Sequence, residues 1–238
     1  MKLIRGCFVT GTDTGVGKTI VTAALAAALR AQGLKIGVWK PVQSGAVLGS
    51  GDTDAEILLR CTGMDEHAEA VAPFSFETPL TPLLAAKEAG LDLTLHELIA
   101  AGAPLVERYD SLLIEGAGGA AVPLTETALV ADLISELRVP VLIVARSGLG
   151  TINHTLLTVS FLRERKVPII GIILNDGSSA GLHDDPSVAR NAELIERYSG
   201  IKVLGRFPCL QDDTNTTLLI NTALEELQLT PIIQALTS

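Results

Sequence analysis

Short apolar runs alternate with stretches of helical periodicity along most of this chain. The apolar runs predict strands at residues 3–9, 35–39, 111–115, 139–145, 169–174 and 203–204. The helical periodicity predicts helices at residues 20–31, 152–165, 187–198 and, as the last one, 215–227. Because strands that alternate with helices form a parallel sheet covered on both faces, the pattern indicates an α/β fold with a mainly parallel sheet.

The segment between the second and third predicted strands is less regular. Residues 40–52 predict a loop, and residues 53–60 predict a short helix that begins with a threonine and an aspartate. Prolines interrupt residues 64–82, where we predict no long element. Residues 82–87 and 94–109 predict further helices, the second of them interrupted by a glycine and a proline.

Several candidate site residues directly follow predicted strands. They are Lys40, Glu115, Ser147, Asn175 and Pro208. Right-handed crossovers place the loops that follow parallel strands along one edge of the sheet, where such folds bind ligands. We therefore expect these residues to lie near a common site.

The composition favours small-molecule partners. The chain has 238 residues, of which 47% are hydrophobic, and this suits a single domain over residues 1–238 with a well-buried core. A formal net charge of -9, without a clustered basic face, argues against binding to nucleic acid or to an anionic membrane. There is no signal-peptide pattern and no apolar run near the roughly 20 residues of a membrane helix, so we expect a cytoplasmic protein.

The cysteine and histidine residues predict neither a disulfide nor a metal site. Cys7, Cys61 and Cys209 are far apart, and we interpret each of them as a buried packing residue. The four histidines do not pair at ligand spacing, so we predict no zinc site and no Ser-His-Asp triad.

The first chemical motif is a glycine-rich loop between a predicted strand and a predicted helix, TGTDTGVGKT at residues 10–19. Such a P-loop points backbone N–H groups and a helix N-terminus at phosphate oxygens. Its lysine reaches the outer phosphates and its hydroxyl binds Mg²⁺, and Lys18 and Thr19 stand at these two positions. The standard pattern has a glycine where this chain has Thr12, and the glycine comes one place earlier, at Gly11. The loop is therefore one residue longer than the standard one.

The second motif has the form of a Walker B element. The run LLIEGAGG at residues 112–119 predicts a strand that ends in an acid, followed by a glycine-rich turn. Glu115 can bind Mg²⁺ directly or through water, while the glycines let the backbone approach phosphates. The alternative is that Glu115 only ends the strand in solvent. Asp54 by itself is explained by the helix dipole, which favours an acid in the first turn.

Weaker candidates have two interpretations each. Lys40 precedes a proline, which keeps it extended, and it is either a solvated lysine or a phosphate contact. Residues 147–153 either offer free N–H groups to an anion or only shape a turn before the next helix. Asn175 either reads a nucleobase edge or belongs to a plain Asn-Asp-Gly turn.

Taken together, these motifs resemble those of the ATP-dependent dethiobiotin synthetases. In family order they are GTDTGVGKT at 11–19, KPVQSG at 40–45, TDA at 53–55, EGAGG at 115–119, GTINH at 150–154 and ND at 175–176. They span most of the chain, and the longer P-loop is a trait of this family. The resemblance implies a P-loop NTPase-type α/β fold with helices on both faces of the sheet.

The resemblance also implies a reaction, the carboxylation and ring closure of 7,8-diaminononanoate with CO₂ and ATP to give dethiobiotin, ADP and phosphate. A substrate amine and CO₂ form a carbamate, whose oxygen attacks the γ-phosphorus to give a carbamic–phosphoric anhydride. The second amine then closes the ring as phosphate leaves. This chemistry mainly requires positioning and charge neutralisation. The implied cofactor is Mg²⁺, with ATP as co-substrate.

The resemblance assigns roles to individual residues of this chain. Lys18 would hold the β- and γ-phosphates, and Lys40 would stabilise charge on the carbamate and the γ-phosphate. Mg²⁺ would bind Thr19, Asp54 and Glu115. Nucleotide-binding positions would be Gly15, Val16, Gly17, Lys18, Thr19, Ile20, Asp54, Glu115, Gly116, Ala117, Gly118, Asn175, Asp176, Phe207, Pro208 and Cys209, with adenine held by Asn175 and the 207–209 turn. Contacts to the diamine would come from Thr14, Ser44, Gly150, Thr151, Ile152 and Asn153. The last four would belong to the neighbouring subunit of a homodimer.

The chain departs from the family pattern at two positions. Gly15 stands where many relatives carry glutamate, and Leu83 stands where a histidine is common, so no side-chain role is transferred to either position. Residues 185–191 receive no role.

The alternative is a partner-regulated P-loop ATPase of the partitioning type. Such proteins usually have a lysine where this chain has Asp13, and many have a basic or amphipathic tail, neither of which is present here. A third possibility, an amidoligase of the cobyrinic-acid type, would need a glutaminase domain, for which this chain lacks the length.

Overall fold

The computed structural model describes residues 4–177 and 185–237. Leu3, where the first predicted strand begins, and His183, one of the four histidines, lie outside the described residues. The strands are β1 Gly6–Gly11, β2 Ile36–Trp39, β3 Val42–Ser44, β4 Phe74–Phe76, β5 Ser111–Gly119, β6 Val141–Arg146, β7 Ile169–Asn175 and β8 Val203–Phe207. Six of them form a parallel sheet in the order β2-β5-β1-β6-β7-β8, and β3 and β4 form a separate parallel pair.

Helices connect and cover the strands. They are α1 Lys18–Ala31, α2 Asp54–Thr62, α3 Ala68–Val71, α4 Pro82–Glu88, α5 Leu95–Ala101, α6 Ala103–Arg108, α7 Val130–Leu137, α8 Thr151–Glu164, α9 Val188–Ser199, α10 Thr216–Glu226 and α11 Thr230–Thr237. None of the helices in the described part of the chain is long and apolar enough to cross a membrane.

The core lies in two layers, one on each face of the main sheet. On β1, Phe8 packs into one cluster, while the neighbouring Cys7 and Val9 pack into the other. This division follows from the alternation of side chains along a strand. Residues of α1, α2, α10 and α11 belong to the cluster of Val9, and residues of α5 to α9 belong to the cluster of Phe8. The prediction of a mainly parallel sheet with helices on both faces is confirmed.

Local sequence signals set several helix ends. Thr53 accepts a hydrogen bond from Glu56 N, and the Glu56 carboxylate accepts one from Thr53 N, which makes a capping box at the start of α2. Pro82 is the first residue of α4, where its missing N–H costs nothing. Gly33 follows α1 with φ 88°, which a residue with a side chain rarely adopts.

The structure also contains elements that the sequence pattern did not predict. The short strands β3 and β4 lie in the segments predicted as irregular, and α7 lies in a segment for which we made no prediction. The helix at residues 215–227 is not the last one, because α11 follows it. In addition, Cys209 is exposed, so its interpretation as a buried packing residue is wrong, whereas Cys7 and Cys61 are buried as expected.

Candidate active site

The loop between β1 and α1 has the backbone shape of a phosphate cradle. Gly15 and Gly17 have φ values of 68° and 84°, in the left-handed region that glycine favours. Lys18 begins α1 directly after this loop, so the helix N-terminus faces the cradle. A Cβ atom on Gly17 would lie 1.9 Å from Asn175 Nδ2, which donates a hydrogen bond to Val16 O at 2.9 Å. The loop is therefore packed directly against the end of β7.

A cluster of one lysine, two carboxylates and one hydroxyl lies beside this loop. Lys40 Nζ is 2.6 Å from Asp54 Oδ2 and 2.7 Å from Glu115 Oε1. It also donates a hydrogen bond to Gly116 O at 3.2 Å. Thr19 Oγ1 lies 2.9 Å from both Asp54 Oδ1 and Glu115 Oε1. These contacts join α1, α2, β5 and the end of β2.

Strand register explains why the cluster forms. Trp39 at the end of β2 pairs with Ile114 of β5, so Lys40 emerges next to Glu115. On the other side of β5, Val9 of β1 pairs with Glu115. The strand β5 continues to Gly119, so the prediction that it ends at Glu115 is wrong. Glu115 lies within the sheet, which accounts for its complete burial.

The charges in the cluster shift one another's pKa values. Burial is the main cause that lowers the pKa of Lys18 to about 8, and the Lys40 ammonium is the second cause. Burial alone would also lower the pKa of Lys40, but the carboxylates of Glu115 and Asp54 outweigh it and raise that pKa above its ordinary value. Burial alone would raise the pKa of Asp54, but the Lys40 ammonium outweighs it and lowers that pKa. Lys40 is thus a firmly held cation at neutral pH.

The donor set of the cluster fits a magnesium ion. Glu115 Oε2 is buried without a hydrogen-bond partner, so this oxygen is free to bind a cation. Carboxylate and hydroxyl oxygens are ligands that Mg²⁺ prefers, and Mg²⁺ usually takes one or two carboxylates together with water and substrate phosphates. Among the described residues, no group of three or more histidine, cysteine or acidic side chains could hold a metal ion. Thr19, Asp54 and Glu115 therefore suit a cation that takes its remaining ligands from water and from the phosphates of a bound nucleotide.

A cleft with a volume of about 720 Å³ opens over the cradle and the cluster. The predicted site residues that line it are Thr14, Gly15, Gly17, Lys18, Thr19, Ile20, Lys40, Ser44, Asp54, Glu115, Ala117 and Gly118. Its far wall is a proline-rich segment, residues 79–82, in which Leu80 O accepts a hydrogen bond from Ser44 Oγ at 2.7 Å. The cleft thus extends beyond the phosphate cradle into space for a second ligand.

The remaining predicted residues do not line this cleft. Val16 and Phe207 have side chains packed into the core, so only their backbone atoms are available to a ligand. Asp176 pairs with Arg206, with Oδ1 2.7 Å from Nε, and its N–H donates to Phe207 O at 3.0 Å. Asn175 and the residues that follow β8 therefore lie next to each other, on the β7 side of the cradle.

The four residues predicted to contact the diamine from a neighbouring subunit form the start of α8. Gly150 precedes the helix with φ 93°, and Thr151, Ile152 and Asn153 make its first turn. Leu149, just before them, is 86% exposed. None of these four residues lines the cleft of its own chain.

Two polar side chains that support the site are not among the predicted site residues. Gln43 Oε1 accepts a hydrogen bond from Ala55 N at 3.0 Å, and Gln43 Nε2 donates to Ser75 Oγ at 2.9 Å, so Gln43 holds the first turn of α2 and with it Asp54. Arg146 Nη2, at the end of β6, donates to Thr14 O at 3.0 Å. Neither residue lies in a motif that predicts its contact.

Comparison with known proteins agrees with this geometry. Residues 5–217 match the family described as AAA domain. The ATP-dependent dethiobiotin synthetase BioD of Anaeromyxobacter dehalogenans is 48% identical over 205 residues, which cover 86% of this chain and 90% of the relative. The enzyme of the same name from Bacillus thuringiensis is 39% identical over 229 residues, or 96% of this chain and 93% of the relative.

Solved structures share the fold at lower identity. The MinD cell division protein of Aquifex aeolicus has a TM-score of 0.55 at 16% identity and covers 93% of this chain and 96% of its own. A ParA family ATPase from Chlorobium tepidum has a TM-score of 0.52 at 17% identity, over 98% and 97% of the two chains. At this identity the likeness is one of fold alone.

The fold and the cradle define a protein of the P-loop NTPase type, and the relatives place it among the ligases that use ATP. Within this class, the chain belongs to the family of the ATP-dependent dethiobiotin synthetases. The predictions of the family, the fold class and an ATP-dependent ring closure are therefore confirmed. The partitioning-type ATPases are distant relatives in fold.

Proposed function

We propose that residues 1–238 form one ligase domain that carboxylates 7,8-diaminononanoate and closes it to dethiobiotin in the cytoplasm, where ATP is available. The observation that carries this proposal is the joint lining of one cleft by Lys18, Lys40, Asp54 and Glu115. Two lysines and a pair of carboxylates at the end of a P-loop match a reaction in which phosphate is transferred to a carbamate. The remaining space in the cleft suits the second substrate.

Mg²⁺ and ATP have matching ligands in the site. The residues that would hold the metal are Thr19, Asp54 and Glu115, and the buried, unpartnered Glu115 Oε2 supports this assignment. When bound, the metal would neutralise charge on the phosphates. The cradle N–H groups of residues 15–19 would bind the phosphates, with Lys18 on the outer ones.

The lysines would act at the reacting atoms. One amine of the diamine attacks CO₂ and loses a proton, which leaves a carbamate. A carbamate oxygen then attacks the γ-phosphorus as the bond to ADP breaks, and the negative charge that builds up lies between Lys18 and Lys40. The second amine next attacks the carbamate carbon, and phosphate leaves as the ring closes. Because Lys40 is held by two carboxylates, its ammonium is fixed in place before the substrates arrive.

Thr14 and Ser44 would position the diamine. Both residues line the cleft. The Ser44 hydroxyl donates its proton to Leu80 O, so its oxygen remains free to accept a hydrogen bond from an amine. Thr14 lies beside Gly118.

Adenine would lie beside the end of β7. Asn175 uses its Nδ2 atom for the P-loop carbonyl of Val16, which leaves Oδ1 to accept from the adenine amino group. Asp176 and the turn formed by Phe207, Pro208 and Cys209 would enclose the ring, with Phe207 contributing only its backbone.

A homodimer would complete the site. The N-terminus of α8, at residues 150–153, would bind the substrate carboxylate in the cleft of the other subunit. Two observations support this proposal: residues 150–153 do not line the cleft of their own chain, and two leucines of the same segment are exposed, Leu149 at 86% and Leu157 at 62%. A large exposed apolar patch marks an interaction surface, and the two leucines would contribute to such a patch between the subunits.

The activity is tested by incubating the purified protein with 7,8-diaminononanoate, bicarbonate and Mg·ATP. We expect phosphate release that depends on the diamine, and dethiobiotin identified by mass spectrometry. Phosphate release that is independent of the diamine would contradict the proposal and favour an ATPase switch.

The shared site is tested by mixing two inactive variants, Lys40→Ala and Asn153→Asp. If α8 serves the other subunit, a mixed dimer has one site with both Lys40 and Asn153 intact, and the mixture recovers about a quarter of the activity. If each cleft uses its own α8, mixing restores nothing. Sedimentation analysis of each variant verifies that the dimer itself persists.

A further inference from the structure

Directly after the departure from the standard P-loop at Thr12, side chains hold the backbone of Asp13 and Thr14. Thr14 N donates to Asp13 Oδ1 at 2.7 Å, and Lys18 Nζ donates to Asp13 O at 3.2 Å. Thr14 O accepts a hydrogen bond from Arg146 Nη2 at 3.0 Å. Arg146 Nη1 also lies 3.3 Å from Asp13 Oδ2. One guanidinium thus engages both the carboxylate of Asp13 and the carbonyl of Thr14.

Arg146 reaches this segment from the sheet. It is the last residue of β6 and pairs there with Asn175 of β7. Asn175 in turn donates to Val16 O at 2.9 Å. Side chains from the ends of two neighbouring strands therefore hold two carbonyl groups of the P-loop, those of Thr14 and Val16. The backbones of both residues, Arg146 and Asn175, are fixed in the sheet. A planar guanidinium with two donors can satisfy a carbonyl and a carboxylate at once, which a lysine cannot do in the same way.

The segment held by Arg146 contributes Thr14 to the cleft, the residue proposed above to contact the diamine. Thr14 lines the cleft together with Gly118, and a Cβ atom on Gly118 would lie 3.5 Å from Thr14 Oγ1. The N–H of Thr14 is already used by Asp13, so what Thr14 offers to the cleft is its hydroxyl. The phosphate-binding end of the loop, Gly17 and Lys18, packs against Asn175 and begins α1, and it contacts the segment held by Arg146 through the hydrogen bond from Lys18 Nζ to Asp13 O.

We infer that Arg146 is a positioning residue that fixes Thr14 for the diamine, a role that rests on the proposed function. Asp13 is the second part of this device, because it pairs with Arg146 and accepts from Thr14 N. Loss of the guanidinium should release Thr14 while leaving the phosphate cradle in place. The expected signature is a higher KM for the diamine at nearly unchanged affinity for ATP.

The test compares Arg146→Ala, Arg146→Lys and Lys202→Ala. Lys202 forms an exposed ion pair with Glu196 before β8 and is a matched control for the loss of a surface charge. We expect Arg146→Ala to raise the KM for the diamine about tenfold, the scale of one charge-assisted hydrogen bond, with the affinity for an ATP analogue within about twofold of the original. Arg146→Lys should recover part of the loss, and Lys202→Ala should change neither quantity. An unchanged diamine KM, or an equal loss of ATP affinity, would overturn the inference.

Amide hydrogen exchange tests the same device without turnover. In Arg146→Ala, a peptide that contains Asp13 and Thr14 should exchange faster than in the original protein, whereas a peptide from α1 should not change. Asp13→Ala should give the same increase, and the double variant should add little to it. Unchanged exchange would refute the positioning role even if the diamine proves not to be the substrate. If the original protein shows no turnover of the diamine but Arg146→Ala still exchanges faster, the proposed function is refuted and the positioning role is not.

Discussion

Replacing Lys40 with methionine is the sharpest test of the charge cluster. Methionine keeps the length of the side chain and removes the ammonium that pairs with Asp54 and Glu115. The Lys40 side chain is 3% exposed and that of Glu115 is 0% exposed, whereas that of Asp54 is 36% exposed. Solvent can therefore compensate Asp54 in the variant but cannot reach Glu115.

The expected loss of stability follows from this difference. Removing one partner of a buried ion pair costs about 3–5 kcal/mol, and we expect the lower end, about 3 kcal/mol, because solvent reaches the half-buried Asp54 and weakens its share of the interaction. For a chain of this length, that corresponds to a decrease in Tm of about 6–12 °C. Turnover should fall by about 10²–10³-fold or more, the usual effect of removing one group that stabilises charge in the transition state.

Thermal unfolding, followed by circular dichroism with and without Mg²⁺, measures the effect on stability. In the variant, the cation has no ammonium to compete with at Asp54 and Glu115, so Mg²⁺ should raise its Tm more than it raises that of the original protein. Lys87→Met is the matched control, because Lys87 pairs with Glu126 at the surface, where such a pair is worth about 0–1 kcal/mol. If Lys40→Met and Lys87→Met unfold at the same temperature, or if turnover stays within tenfold, the argument from the buried cluster is refuted.

Three further predictions test the nucleotide site. First, bound phosphates should raise the lowered pKa of Lys18, so ATP binding near pH 8 should take up about 0.5 proton per site, and the affinity for ATP should fall as the pH rises beyond about 8. Titration calorimetry in buffers of different ionisation enthalpy measures the proton uptake. Release of protons on binding would contradict the prediction. Second, Gly17→Ala should abolish ATP binding and cost about 1–3 kcal/mol of stability, measured by nucleotide titration and thermal melts. Gly51→Ala is its control, since Gly51 has φ 86° with no atom near its Cβ position, and equal effects would refute the clash with Asn175. Third, Cys209 should react quickly with a thiol reagent and more slowly when ATP is bound, whereas Cys7 should not react, because burial raises its pKa to about 12. Peptide mass spectrometry identifies the labelled cysteines. If ATP does not change the rate at Cys209, the turn at residues 207–209 does not belong to the adenine site.

The main sheet could be predicted because its strands are buried on both faces. The runs that became β5, β6 and β7 are continuously apolar, which distinguishes them from the helices between them. The pair β3 and β4 has only three residues per strand, and β3 contains the polar Gln43, so no periodicity could develop. The boundary of β5 was missed because its last residues are glycines, which predict a turn by composition although β1 pairs with them.

The site was predictable only in part, for a related reason. Lys18, Thr19 and Glu115 stand in local motifs whose geometry follows from strand, loop and helix order. The roles of Lys40 and Asp54 came from the resemblance to a family, since spacing alone left their contacts open. The backbone atoms that Gln43 and Arg146 contact lie 12 or more positions away in the chain, and these contacts depend on how the fold brings distant segments together. No local pattern encodes such contacts.

The contact between Gly17 and Asn175 has a consequence for how this protein responds to its ligand. The cradle belongs to the first tenth of the chain, but Asn175 and Arg146 hold it from strands formed by the second half. A bound nucleotide therefore ties distant parts of the sequence into one cooperative unit. At a ligand concentration of 100 Kd, it would stabilise that unit by about 2.7 kcal/mol. Unfolding of β6 or β7 would then release the nucleotide, so ATP should protect those strands although its phosphates would bind the loop between β1 and α1.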